Sequence, residues 1–322
     1  MAAGQPAPKP DRVASLNPLL IAARNGPYVL LTGLFAGLLL PGLAQPMRPF
    51  LPAMVVLLLF VTVLRMEPRR IFGSLHDLRR VVMGVFGLQL ALPLTVLAVG
   101  ALGGWLDSPA LFALLVMTAA PSIAGSPNMC RMMGYPSEYA FRLLVIGTAL
   151  LPLTMAPVFW LAPQLDGIGA VMWAAARLLI TIVLATMAAI FVHHTFLRNP
   201  SPKTESALDG LAHITLAVFV IGLMPSLSEV ILTDPKRALL WIAFACLANF
   251  GLQLICYQLS RMRFSPGEAT AVSLIAGNRN IALFFVALAP EITEPIMVFI
   301  GAYQIPMYLT PLVMRRIYRN SA

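Results

Sequence analysis

Charged side chains are scarce in this chain, and acidic ones are the scarcest. Asp, Glu, Lys and Arg make up 11% of the 322 residues, whereas an average soluble domain carries about 25%. Hydrophobic residues make up 59%, and the mean hydropathy is +0.84. This balance excludes an ordinary soluble enzyme and indicates a protein that lies mostly within a lipid bilayer.

Residues that could build a metal centre or a catalytic motif are also few. The three cysteines lie in or beside apolar runs without C-x-x-C spacing, which argues against a disulfide framework or a zinc site. The chain has no H-E-x-x-H motif, no Gly-rich phosphate loop and no pair of aspartates within apolar segments. We therefore expect no enzymatic activity and no cofactor.

Long apolar runs fill the chain after residue 26. A helix that crosses the hydrocarbon core takes about 20 residues, and ten such segments can be marked. They are 27–45, 46–66, 80–103, 109–133, 137–162, 168–193, 207–231, 236–260, 266–290 and 292–318. The polar, Pro-rich residues 1–26 are interpreted as a cytoplasmic leader with room for a short interfacial helix. The sequence thus predicts an all-α, polytopic membrane protein with ten transmembrane helices.

The positive charges alternate between the two sides of these segments. If the N-terminus is cytoplasmic, seventeen of the 22 Lys and Arg fall on its side and three on the other, while Arg177 and Arg279 fall inside segments. Cytoplasmic loops collect Lys and Arg, so this bias places both termini in the cytoplasm, as expected for a multi-pass protein of the cell (inner) membrane. The net charge of +9 therefore reflects topology, and we expect no nucleic-acid partner.

Each half of the chain has an interrupted fourth segment. Ten spans divide into a first repeat, 27–162, and a second repeat, 168–318, and an odd number of spans in each makes the repeat inverted. Residues 121–128 (PSIAGSPN) interrupt one fourth segment, and residues 276–280 (AGNRN) interrupt the other. Backbone groups freed by such a break survive in a membrane only inside protein or beside a water-filled site. Matching breaks therefore predict one shared central site, which is the usual plan of a secondary transporter.

Polar residues near these breaks are the candidate binding residues. Half-helix N-termini near Asn128 and Asn280 offer free N–H donors and partial positive charge, which suit an anion. Amides also lie within the third segment of each half, and Thr148, Tyr303 and Gln304 lie in the fifth segments. The predicted substrate-binding residues are Ser126, Asn128, Arg279, Asn280, Asn278, Gln89 and Gln253. The predicted hinge or crossing residues are Pro121, Gly125, Pro127 and Gly277.

At these residues the chain resembles the bile acid:sodium symporter superfamily. Residues 120–126 (APSIAGS) are similar to its C-P-G-G-x-x-S-N crossing, and residues 275–280 (IAGNRN) are similar to its E-x-G-x-Q-N crossing. The resemblance covers about residues 27–318 in architecture and is specific in these two stretches. It implies an inverted five-plus-five repeat with broken, crossed helices 4 and 9. It also implies that spans three to five and eight to ten move against spans one, two, six and seven.

The chain departs from the family pattern where sodium would bind. The family's glutamate, which bridges two sodium ions, is replaced by Ile275, and a sodium-binding glutamine is replaced by Arg279. No Asp or Glu lies mid-segment near either break, although a sodium site usually includes a carboxylate. Ser126 and Asn128 are left as weak sodium candidates. The positions that carry over cleanly are Ser126, Gly277 and Asn280.

Arg279 is open to three interpretations. Its guanidinium could substitute for the coupling cations, either by donating to carbonyls freed at the break or by pairing with an anionic substrate. It could instead pair with Glu138 or Glu268 as a structural lock. The third interpretation is that it snorkels to an interface.

The leading expectation is a secondary transporter that moves a small organic anion across the membrane. Uniport or anion exchange suits a fixed internal cation, whereas proton symport lacks a mid-membrane carboxylate. Two alternatives stay open: a sodium-coupled symporter with non-carboxylate ligands, and a non-transporting membrane sensor on the same fold. The expected partners are the organic anion and the lipid bilayer. The Gly33-x-x-x-Gly37 motif could pack two spans of one chain or of two copies, so it does not fix the oligomeric state.

Overall fold

The computed structural model describes residues 17–65, 78–165, 167–197 and 200–319, and helices make up most of these ranges. Within them no strand forms, and the one β-type contact is an isolated antiparallel bridge. The all-α prediction is therefore confirmed for the described residues. Most of the predicted leader, residues 1–16, and the Arg-rich connection at 66–77 lie outside them.

Seventeen α-helices cover the described ranges. In the first half these are α1 (Pro18–Arg24), α2 (Gly26–Leu39), α3 (Pro41–Ala44), α4 (Leu51–Leu64), α5 (Leu78–Phe86), α6 (Leu92–Gly103), α7 (Pro109–Ala119), α8 (Ser126–Met132) and α9 (Glu138–Trp160). In the second half they are α10 (Gly167–Phe196), α11 (Pro202–Leu223), α12 (Pro225–Thr233), α13 (Pro235–Ser260), α14 (Pro266–Gly277), α15 (Phe284–Ala287), α16 (Pro290–Thr293) and α17 (Met297–Arg319). The 3-10 turns are Gln45–Phe50, Ile281–Leu283 and Glu294–Ile296, and a π-helical turn, Gly87–Ala91, joins α5 to α6.

Seven helical stretches of the described chain are long and apolar enough to cross a bilayer. They are Pro41–Leu64, Leu78–Gly103, Glu138–Trp160, Gly167–Phe196, Pro202–Thr233, Pro235–Ser260 and Pro290–Tyr318. The number becomes eight if α1 and α2, which are bent by 100° at their junction, form one span. Helices of this length and composition are those of a membrane protein.

The three other predicted segments are shorter or broken. α2, in the first segment, has 14 residues, about 21 Å at 1.5 Å per residue, whereas the hydrocarbon core is about 30 Å thick. The fourth segment consists of α7 and α8, and the ninth consists of α14 and α15, with non-helical residues between the two parts. Both interruptions predicted from the sequence are therefore present as breaks between short helices.

The predicted boundary between the first two segments, at residue 45, is wrong. α2 ends at Leu39, Leu40 leaves the helical region (φ −122°, ψ 68°), and the next helix begins at Pro41. A residue before proline is pushed out of the helical conformation, whereas proline itself suits the first helical position. Proline after a Ser or Asp cap begins α7, α11 and α13 in the same way.

α2, α11, α4 and α10 contact one another in that order, and we call them the front group. We call α5 to α9, α13, α14 and α17 the rear group; the two groups are in contact, most extensively where α9 packs on α10. Gly33 and Gly37 of α2 lie against Ala217 and Met224, so this small-residue motif packs two helices of one chain. α1, within the predicted leader, packs on α11, where the Leu19 carbonyl lies against the backbone of Gly210.

Candidate functional site

The two helix breaks meet and pair through their backbones. The Asn280 N–H donates to the Pro121 carbonyl at 2.8 Å, and the Ile123 N–H donates to the Asn278 carbonyl at 3.3 Å. These two bonds flank an antiparallel bridge between Ser122 and Arg279. We call this contact the crossing, and it satisfies backbone groups that the broken helices leave without intrahelical partners.

At the crossing, α7 ends before a proline, and α14 ends at a position where a close backbone contact leaves room only for glycine. Ala120, before Pro121, is extended (φ −67°, ψ 152°), as expected for a residue that precedes proline. Gly277 ends α14, and a Cβ there would overlap the Asn249 carbonyl oxygen and lie 2.5 Å from Gln253 Cγ. Only glycine permits this approach of α13 to the crossing. Pro127 lies at the start of α8, and Gly125 occupies its N-cap position.

The Arg279 side chain binds carbonyl oxygens from three helices. It is 1% exposed, and its Nη2 donates to Leu88 O at 2.9 Å, its Nη1 to Ala120 O at 3.0 Å and its Nε to Ala276 O at 3.2 Å. Leu88 lies in the π-helical turn, Ala120 follows the end of α7, and Ala276 lies in the last turn of α14. One guanidinium therefore connects three backbone sites that end or distort a helix.

This geometry decides between the interpretations of Arg279. Its burial excludes snorkelling to an interface. Pairing with Glu138 or Glu268 is also wrong: Glu268 caps its own helix through the Ser265 N–H and hydroxyl, and all three nitrogens of the Arg279 guanidinium donate to backbone carbonyls. The interpretation that agrees with the coordinates is donation to carbonyls freed at the breaks.

Tyr303 of α17 makes two hydrogen bonds to the crossing. Its hydroxyl accepts the Arg279 backbone N–H at 2.7 Å and donates to the Gly277 carbonyl. The ring stacks on Phe299, with centroids 5.8 Å apart. The last long helix is therefore hydrogen bonded directly to the second break.

Four predicted binding residues are buried in hydrogen-bond networks and do not line the cavity described below. Asn278 and Gln253 belong to a network with Asn249 and Thr310; the Thr310 hydroxyl lies 3.1 Å from Asn278 Oδ1 and 3.2 Å from Gln253 Nε2. The Gln89 amide accepts from the Thr154 hydroxyl at 3.2 Å. The fourth, Ser126, accepts from the Ser122 hydroxyl at 2.8 Å. All four are 2% exposed or less, because each side chain points between packed helices.

A cavity of about 390 Å³ lies between the front group and the crossing. Its wall includes residues of α2, α4, α10 and α11 on one side and of the crossing, α9 and α17 on the other. Three predicted binding residues line it: Asn128, Arg279 and Asn280. The predicted hinge residue Gly125 lines it too. Most of the wall is apolar, which suits a small organic molecule with few polar groups.

Several polar lining residues were not among the predicted binding residues. They are Arg65, Thr148, His193, His213, Tyr303, Gln304 and Tyr308. Gln304 and Tyr308 lie one turn apart on α17 and so share a helix face. Among the described lining residues there is no Asp or Glu, whereas two are arginines. Asp209 offsets the charge of Arg65, so it is the charge of Arg279 that favours an anion over a cation.

The donor set at the crossing does not fit a sodium ion. The carbonyls of Leu88, Ala120 and Ala276 already accept from a guanidinium, whose charge would repel a cation. The weak candidate Ser126 already accepts a hydrogen bond, and the Asn128 amide oxygen accepts one from Arg131.

No protein-family model matches the chain, and no curated protein matches its sequence.

Proposed function

We propose that this protein is a secondary transporter that moves a small organic anion across the cell (inner) membrane. In this proposal it has ten spans in an inverted five-plus-five repeat with both termini in the cytoplasm, and it is a divergent member of the bile acid:sodium symporter superfamily. The two groups of helices move relative to each other and expose the cavity to either side in turn. Arg279 takes the place of the coupling sodium ions.

The observation that carries the proposal is the crossing of two broken helices beside a cavity. Discontinuous helices that meet at one point are the usual site-forming device of secondary transporters. The cavity lies where the front and rear groups face each other, so a molecule bound there contacts both. A relative movement of the groups would then change access to that molecule.

Two ion pairs support the proposed topology. Arg65 pairs with Asp209, and both lie on the predicted cytoplasmic side. Arg48 pairs with Glu294, and both lie on the predicted opposite side. Partners at the same membrane surface need an even number of spans between them, as the proposed ten-span topology provides for both pairs.

The position of Arg279 supports transport without sodium. Three backbone carbonyls accept hydrogen bonds from its guanidinium. Without the arginine, the same carbonyl oxygens could coordinate a bound cation. A covalently attached cation cannot leave with the substrate. Substrate movement therefore needs no sodium gradient, and uniport or anion exchange follows.

Uptake into vesicles that contain the purified protein tests the proposal. We expect one or more members of a panel of radiolabelled keto acids, hydroxy acids and sulfonates to enter at equal rates in sodium and potassium media. Arg279→Gln should abolish this uptake, whereas Lys236→Gln, at an exposed helix start, should leave it unchanged.

Three results would contradict the proposal in different ways. Uptake that requires a sodium gradient would restore the sodium-coupled symporter. Saturable binding of a panel member without any movement into sealed vesicles would favour the sensor. Chemical conversion of a panel member by the purified protein would show an enzyme.

A further inference from the structure

An ion pair joins the front and rear groups at the predicted non-cytoplasmic side. Arg48 lies in the 3-10 turn Gln45–Phe50, which packs on α11 and leads into α4 of the front group. Glu294 lies in the 3-10 turn Glu294–Ile296, which packs on α7 and leads into α17 of the rear group. The Arg48 guanidinium donates to the Glu294 carboxylate. We call this contact the outer ion pair.

The other ion pair of the described ranges does not join the two groups. Arg65 directly follows α4, and its partner Asp209 lies on α11, so both belong to the front group. This pair can persist while the two groups move relative to each other. The outer ion pair must break if the non-cytoplasmic ends of α4 and α17 separate.

Side chains close the cavity toward the non-cytoplasmic side. In the proposed topology α4 and α17 begin at that side, and α11 runs toward it. The lining residues nearest to it are Val55 and Leu59 of α4, Phe219 and Leu223 of α11 and Ile300 of α17. Each is 7% exposed or less. The residues that bound this end of the cavity are therefore packed against their neighbours.

Front-group helices pack on α15 and α17 between the crossing and the non-cytoplasmic side. Phe219 of α11 meets Phe285 of α15 edge to face, with ring centroids 6.3 Å apart. α15, the part of the ninth segment that follows the crossing, also packs on α4 and α10. A Cβ on Gly301 of α17 would lie 3.4 Å from the Leu223 carbonyl oxygen of α11. The outer ion pair therefore lies at the same side as a set of close contacts between the moving parts.

The cavity extends toward the opposite, predicted cytoplasmic, side. On α10 (Gly167–Phe196) the lining residues run from Ile182 to His193, close to its cytoplasmic end. The residues before them on this helix, 167–181, do not line the cavity. On α4 the lining residues reach Arg65, which follows the last residue of the helix. Within the described ranges the cavity is therefore displaced toward the cytoplasm.

We propose that the structure represents the cytoplasm-facing state of the transport cycle and that the outer ion pair holds its non-cytoplasmic side closed. This proposal rests on the proposed function, because it requires the two groups to move relative to each other. Arg48 moves with α4 and Glu294 moves with α17, so the cavity opens to the non-cytoplasmic side only after they separate.

The outer ion pair is weak enough to break in every cycle. The side chains of Arg48 and Glu294 are 31% and 60% exposed, so water solvates both charges when they separate. An exposed ion pair biases an equilibrium by up to about fivefold. Its loss should therefore shift the balance between two states of the transporter without unfolding the protein.

Access of a water-soluble thiol reagent to the cavity tests the proposal without any substrate. The reporter is Val55→Cys in a variant whose three native cysteines are replaced by alanine. A membrane-impermeant maleimide is added to the non-cytoplasmic face of sealed vesicles, where the buried reporter should react slowly. Arg48→Glu and Glu294→Arg each replace an attraction by a repulsion, so each should raise the rate at least about twofold. The double reversal restores the pair and should return the rate to that of the reporter alone.

Glu291→Arg is the matched control, because it reverses an exposed charge on α16 at the same side and leaves the outer ion pair intact. It should not change the rate. Leu59→Cys, one turn further along α4, is also buried and lines the cavity, so it serves as a second reporter if Val55→Cys does not fold.

Three results would overturn the proposal. Equal rates in all variants would show that the ion pair does not hold this side closed. A rate that stays raised in the double reversal would show that the single changes disturb local packing rather than the pair. Faster reaction from the non-cytoplasmic face than from the cytoplasmic face, with the pair intact, would show that the structure is not the cytoplasm-facing state. The uptake panel uses neither reporter nor pair variants, so it decides the proposed function separately.

Discussion

Replacing Arg279 with glutamine should destabilise the protein by about 2 to 5 kcal/mol. The guanidinium satisfies three buried carbonyls, of Leu88, Ala120 and Ala276. Each buried acceptor left unpaired costs about 1 to 3 kcal/mol, and the shorter glutamine amide can pair with only one of them. Two unpaired carbonyls cost about 2 to 6 kcal/mol, and relief from burying a charge recovers a part of this.

Unfolding of the detergent-solubilised protein measures this loss. Wild-type protein, Arg279→Gln and Arg279→Lys should be compared in the same detergent and salt, with Arg237→Gln at the exposed start of α13 as the control. Lysine keeps the charge but presents it at a single nitrogen, so it does not reproduce the planar fork that reaches three carbonyls. We therefore expect the lysine variant to be nearly as unstable as the glutamine variant and the control to match wild type.

Two results would refute this reasoning. A glutamine variant within about 0.5 kcal/mol of wild type, the usual range for surface substitutions, would mean that the carbonyls do not depend on the guanidinium. A lysine variant as stable as wild type would mean that charge alone is needed at this position. In either case Arg279 would not be the residue that holds the crossing together.

Two further substitutions test the packing around the crossing. Gly277→Ala should destabilise the protein by about 2 kcal/mol or more, because the added Cβ overlaps the Asn249 carbonyl. Gly251→Ala, on α13, meets open space and should be neutral or slightly stabilising in a thermal unfolding assay. Thr310→Val should cost about 1 to 3 kcal/mol in the same assay, since its hydroxyl contacts two buried amide oxygens and a backbone carbonyl; an unchanged melting temperature would contradict the network described for α13, α14 and α17.

The positions of the breaks could be predicted from the sequence, because their physical cause is local. Pro121 removes a backbone donor and forces its neighbour out of the helix wherever it occurs in a membrane segment. Gly277 and the Asn residues after it signal a second irregularity of the same kind. Apolar length likewise predicted the long helices, since a span needs about 20 such residues whatever its neighbours are.

The direction in which each polar side chain points could not be predicted. Gln253 and Gln304 both lie within long apolar helices, yet only Gln304 lines the cavity, and Gln253 is buried between α13, α14 and α17. A helix that is apolar on all sides carries no amphipathic signal to show which face meets its neighbours. Tyr308 and His213 were missed as site residues for this reason.

Pro93 signals an irregularity near the π-helical turn at Gly87–Ala91, because proline cannot donate to the carbonyl four residues earlier. The turn presents the Leu88 carbonyl to Arg279 from a different span, and this contact depends on tertiary packing. The groups that Arg279 binds could therefore not be predicted from the sequence, although its position in the break could. The wrong boundary at residue 45 has a simpler cause: Pro41 ends the preceding helix inside an uninterrupted apolar run.

The thermal stability of the purified protein in sodium and in potassium, at equal ionic strength, tests most directly whether Arg279 stands in place of a coupling cation. An ion that binds only the folded state stabilises it by about 1.4 kcal/mol at ten times its Kd. Because the carbonyls at the crossing already bind a guanidinium, we predict the same melting temperature in both salts. A melting temperature that rises specifically with sodium concentration would contradict the account and would show that a sodium site exists beside the arginine.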